Sequence, residues 1–125
     1  MPDTFTRTVE ALVETLVDEM YAGAGPVHRE RVCAYVKATV AAMPDHFHLA
    51  FRLLGLAFEV APMGRGGRRF TQLSPAARLA HVQRWRNSAL GVPRAMIAFY
   101  EAFAAHGLYC AVYAAETFQS TRIAA

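Results

Sequence analysis

The sequence predicts an all-α protein, a single compact bundle of about five helices. Three observations lead there. Apolar residues recur at helical spacing in segment after segment, and no stretch alternates with the period of two that a strand needs. Prolines and glycines cluster between those segments and leave short connections. With 125 residues, the chain can build one core but not two. It holds no internal repeat and no low-complexity stretch.

The first helix is predicted from about Thr4 to Tyr21. Phe5, Val9, Leu12, Val13, Leu16, Val17 and Met20 form its apolar stripe, and the acidic residues lie on other faces. Gly23 and Gly25 end it. Pro26 suits the first turn of a second helix, which carries Val32, Tyr35, Val36 and Val40 and stops near Met43, because the residue before Pro44 disfavours helical backbone. The third helix, about Pro44 to Ala61, is apolar nearly all round, with a narrow polar strip of Asp45, His48, Arg52 and Glu59. That pattern predicts the central helix of the core.

Residues 62–73 read as a Gly- and Arg-rich loop. Ser74-Pro75 then opens a fourth helix, with Ser as cap and Pro in the first turn, running to about Ser88. Gly91 to Pro93 separates it from a last helix, Val92 to Ala115. The expected domain spans 1–125, with an ordered core of about 4–115 and a polar, frayed tail at 116–125.

Composition turns this fold into a functional expectation. Hydrophobic residues make up 54% and charged residues 18%, against about 25% charged in an ordinary soluble domain. The last helix is apolar on all sides and must be buried on several. Either the other helices wrap it or a partner covers it. An Ala-rich domain whose alanines inflate the hydrophobic count is the alternative.

Charge is unevenly spread. No Asp or Glu occurs from Val60 to Tyr100, a stretch that holds Arg65, Arg68, Arg69, Arg78, Arg84, Arg86 and Arg94. The first helix is the acidic counterpart, with Glu10, Glu14, Asp18 and Glu19. Lys37 is the only lysine, and Arg suits bidentate, partly buried pairing better than Lys does.

Sites of chemistry are not evident. Gly64 to Arg69 has neither the spacing of a P-loop nor a preceding strand, and reads as a connector. His46 and His48 fall on different faces of their helix, and His28, His81 and His106 stand alone, so no metal pair forms at one face. Ser74 and Ser88 are helix-end residues. Cys33 and Cys110 lie in apolar helical patterns and are expected to be buried thiols. Glu101, among aromatics, is expected to pair with Arg94 or Arg52. The residues assigned to a partner interface are Arg68, Arg69, Phe70, Arg84, Trp85 and Arg86 in the Arg-rich half, and Phe99, Tyr100, Phe103, Tyr109 and Tyr113 in the last helix. Aromatic residues with Arg are the types that anchor protein contacts.

The stretch from Arg68 to Ser88, with Phe70, Leu73, Pro75 and Arg78 followed by Trp85, Arg86 and Ser88, resembles the small helical subunit of gluconate 2-dehydrogenase-like enzymes (the subunit 3 family). It is also similar to the helical region that precedes the flavin domain of GMC-type alcohol oxidases. The long apolar helix with Leu108, Tyr109 and Tyr113, and the opening ALVETLV, extend the likeness over about Thr8 to Ala115. The resemblance implies a non-catalytic accessory subunit that stabilises a separate large flavoprotein oxidoreductase subunit. No catalytic, cofactor or metal residue is then expected in this chain, and FAD is expected in the partner.

The opening residues lack a basic start followed by an apolar run, so a cytoplasmic location is expected, or a periplasmic one if a signal-bearing partner carries the chain out. Two other readings stay open. One is a helical domain that holds a small apolar ligand between the third and last helices. The other is a nucleic-acid-binding regulator that uses the Arg cluster with Trp85 and Phe70; the near absence of Lys speaks against it.

Overall fold

A computed structural model describes the backbone of residues 4–21 and 25–124, and the side chains of those up to residue 110, residue 65 excepted. Its helices are α1 (Thr4–Met20), α2 (Pro26–Ala41), α3 (Asp45–Val60), the single turn α4 (Met63–Gly66), α5 (Pro75–Arg86) and α6 (Gly91–Ala124), with a 3₁₀ turn at Phe70–Gln72. No strand occurs among the described residues.

Local chemistry explains the boundaries. Ser74 Oγ accepts from the Ala77 N–H at 3.3 Å, which makes Ser74 the cap of α5, with Pro75 in its first turn. Residues 62–73 are not a plain loop. Pro62 leads into α4, which ends at Gly67 with φ of 71°, a left-handed backbone that glycine adopts without steric cost. The last helix runs from Gly91 to Ala124. Gly23, expected to end α1, lies outside the described residues.

The centre of the bundle is α1, which packs against α2, α3, α5, α6 and the 3₁₀ turn. Thr8, Val9, Ala11, Leu12, Val13, Thr15, Leu16 and Val17 are all buried. These side chains are slender, so neighbours can close in from several directions. The hydroxyl of Thr15 donates to the Ala11 carbonyl at 2.8 Å, which lets a polar side chain enter the core fully paired. Where α3 crosses α1, Gly55 faces Phe5, and a Cβ on Gly55 would stand 2.7 Å from Phe5 Cδ1. A larger residue at 55 would therefore force the Phe5 ring to move.

The expectation that α3 is the central helix is corrected. Only Gly55, Phe58 and Glu59 of α3 are buried, and the side of α3 away from α1 is left in solvent. A bundle of five long helices has one central slot. The Ala-, Val- and Thr-rich face of α1 fills it; of the bulky side chains of α3 only Phe58 is fully buried, while Leu49, Leu53 and Leu56 are left to solvent. The last helix buries one side, with Met96, Ile97, Tyr100, Ala104 and Leu108 in the core, while Val92 and Tyr109 face outward.

Candidate partner-docking surface

The outer face of α3 carries Leu49, Leu53, Leu56 and Val60, and Met63 in α4 follows. Their spacing is four, three, four, three, the seam along which one helix packs lengthwise against another. Each of the five is between 42% and 60% exposed. Together they offer on the order of 500 Å² of apolar surface, comparable to the largest patch on a typical monomer, which is often functional. Beside the stripe run Ala50 and Ala57, also exposed, whose small side chains would let a second backbone approach closely.

One polar device holds this helix in place, and a second ties together the helices around it. The first is Glu59, expected on a polar strip and found 1% exposed. Its Oε2 accepts from Thr8 Oγ1 at 2.6 Å. Its Oε1 accepts from Thr71 Oγ1 at 2.6 Å and from the Thr71 N–H at 3.2 Å. One carboxylate thus ties α1, α3 and the 3₁₀ turn together. Arg78 completes the latch by donating to the Thr71 carbonyl at 2.6 Å, with its guanidinium over the Phe70 ring. Beside it Phe58 stacks on Phe70 and His81, and meets Trp85 edge-on at 5.0 Å. A His81 ring nitrogen, Nε2, lies 3.1 Å from the Phe58 carbonyl oxygen and takes the donor role there.

The second device is Arg86. It donates to Glu19 at 2.6 and 3.1 Å and to Glu101 at 2.8 Å, bridging α1, α5 and α6. Glu101 therefore pairs with Arg86, not with Arg94 or Arg52. The hydrogen bonds from Arg86 hold the Glu19 carboxyl below the usual carboxylate range, against a smaller opposing effect of burial.

The residues assigned to the interface from sequence differ widely in burial. Phe70 and Tyr100 are 0% exposed and belong to the core, so neither can touch a partner unless the bundle opens. Trp85, Phe99 and Phe103 are half-buried against it. Arg86 is committed to its two carboxylates. Arg68, Arg69, Arg84 and Tyr109 are exposed, and the Tyr113 side chain lies outside the described residues. The α3 stripe was missed because its residues were assigned to the core. A four-three spacing along an all-apolar helix was the available signal.

Both cysteines are free, and the expectation that both are buried holds only for Cys33. Burial, with Glu14 and Glu10 nearby, pushes the Cys33 thiol up to about 11. Cys110 is exposed, 3.6 Å from His106 Nε2 one turn earlier. Cys110 sits in an apolar run, but on the outer side of α6. Between α3 and α6, where a small apolar ligand was considered, Phe51 packs on Phe99 at 4.6 Å and on Tyr100 at 5.9 Å. Among the described residues no three His, Cys, Asp or Glu side chains gather as a metal site, and no helix is long and apolar enough to cross a membrane. No protein-family model matches the chain, and neither a curated protein nor a solved structure matches it.

Proposed function

We propose that this chain is a non-catalytic helical subunit that docks onto a large FAD-dependent oxidoreductase subunit of the GMC type through the outer face of α3. The observation that carries the docking reading is the stripe Leu49, Leu53, Leu56, Val60 and Met63, apolar and open to solvent along the whole helix. A stable complex usually buries about 800 Å² on each side. The stripe supplies the greater part of that. The latch at Glu59 and the bridge at Arg86 favour a rigid platform, which lowers the ordering cost of association.

The class of partner rests on the sequence likeness around Phe70, Leu73, Pro75 and Arg78. In this fold Phe70 and Arg78 join the latch that seats the segment before α5 on α1 and α3. The motif thus sets how the platform is built.

The test is co-expression with a candidate large subunit, an FAD-binding polypeptide of the GMC type. A soluble stoichiometric complex is expected. The double substitution Leu53→Asp and Leu56→Asp is expected to abolish it while leaving the helical circular dichroism of the chain intact. A wild-type chain that stays a monodisperse monomer with no affinity for the flavoprotein would overturn the proposal, as would a complex that tolerates both aspartates.

A further inference from the structure

At the C-terminal end of α3, where the apolar stripe finishes, the surface changes from oil to cation. Val60 and Met63 belong to the stripe, while Pro62, between them in sequence, lines a cleft of about 250 Å³ against α5. It is lined by the small apolar side chains of Leu73, Ala77 and Ala80, by the His81 imidazole, and by Arg68 and Arg84. A neighbouring cleft shares Pro62 and Arg84 and extends to Trp85.

The arginines there are uncompensated. The chain has no Asp or Glu from Val60 to Tyr100. Arg78 is occupied by the Thr71 carbonyl, and Arg86 by Glu19 and Glu101. No carboxylate among the described residues pairs with Arg68 or Arg84. A guanidinium beside an apolar floor suits a carboxylate, which it can bind through two parallel hydrogen bonds in a partly desolvated setting.

We infer that this cleft is a socket for a carboxylate-bearing apolar segment of a docking protein, and that it fixes the direction in which that segment lies along α3. The inference rests on the docking reading above and deepens it. The size favours one or two side chains; a whole small-molecule ligand usually occupies about 300 Å³ or more. The opposite end of α3 begins with Asp45, exposed in the first turn, which repels a second carboxylate. The charge pattern is therefore polar along the stripe, with the acidic end of the partner segment at Arg68 and Arg84. A nucleic acid fits less well. Trp85 is half-buried against Phe58 and His81, which limits base stacking on it, and the acidic residues Glu14 and Asp18 are exposed on α1.

The experiment is an NMR titration of the full chain with two capped peptides. One is acetyl-Leu-Phe-Asp-Glu-Leu-amide; the other replaces its acids by Asn and Gln. The acidic peptide should move the amide resonances of Leu73, Ala77, Ala80 and Arg84. The neutral peptide, and the acidic peptide with the R68E/R84E variant, should each bind at least about tenfold more weakly. Equal binding of both peptides, no response at those amides, or displacement of the acidic peptide by an equimolar thymidine oligonucleotide would overturn the inference. The flavoprotein complex separates the two proposals. If R68E/R84E joins that complex as tightly as wild type, the socket is wrong and docking stands. If the peptides behave as expected but no complex forms, the socket stands and the flavoprotein assignment fails.

Discussion

Replacing Thr71 by Val removes one hydroxyl and keeps the shape of the side chain. The hydroxyl lies 2.6 Å from Glu59 Oε1, and Glu59 is 1% exposed. A hydrogen bond to a charged acceptor contributes about 1.5–3 kcal/mol. After the substitution the carboxylate retains Thr8 Oγ1 at 2.6 Å and the Thr71 N–H at 3.2 Å, so it is not stranded. The expected loss is therefore about 2 kcal/mol, which in a domain of this size lowers Tm by roughly 6–10 °C. Urea and thermal unfolding followed by circular dichroism would measure it, for Thr71→Val, Glu59→Leu and the double variant. In the Glu59→Leu background the Thr71 hydroxyl has no acceptor, so its removal should be nearly neutral, giving a coupling of about 1–2 kcal/mol. A Thr71→Val variant within about 0.5 kcal/mol of wild type, or strictly additive losses, would refute the assignment of Glu59 as the tie between α1, α3 and the 3₁₀ turn.

Other consequences can be checked by the same means. Tyr100 is fully buried with no hydrogen-bond partner for its hydroxyl, so Tyr100→Phe should be neutral or should stabilise the fold by up to about 1 kcal/mol; a loss above that range in urea unfolding would mean the hydroxyl is paired. Gly55→Ala places a methyl 2.7 Å from the Phe5 ring. The overpacking cost of about 1–3 kcal/mol exceeds a helix-propensity gain of up to about 1, so net destabilisation is expected, and Phe5→Leu should relieve it. Glu19 holds its proton less readily folded than unfolded, because Arg86 bonds its carboxylate. The stabilisation from this pair is therefore complete above the ordinary carboxyl value of 4.5 and is lost as pH falls below it. In an Arg86→Met variant the fall of Tm between about pH 5 and pH 3 should be shallower; an unchanged acid limb would show that the pair is not linked to folding.

The fold was legible wherever local chemistry decides it. Helical spacing located each long helix, Ser74 and Pro75 marked the start of α5, and Pro44 marked the break after α2. Placement was less legible. Periodicity reports how much of a helix is apolar, and α3 and α6 are apolar on more faces than five helices can cover. Which face stays open is settled by competition for the central slot, and the slender α1 wins it. The burial of Glu59 had no local signal, since its partners Thr8 and Thr71 lie 51 and 12 residues away. The pairing of Glu101 with Arg86 was missed because Arg86 also serves Glu19 on α1, a junction of three helices that no single segment encodes. Phe70 and Tyr100 were assigned to an interface from residue type alone, and packing places both in the core.

The claim that α3 is a docking face is tested most directly by hydroxyl-radical footprinting of this chain, alone and mixed with the proposed flavoprotein partner. Leu49, Leu53, Leu56 and Met63 should react freely in the isolated chain and become severalfold protected in the mixture. Unchanged reactivity along α3 in a mixture that has formed a complex, or protection already present in a monomeric isolated chain, would contradict it.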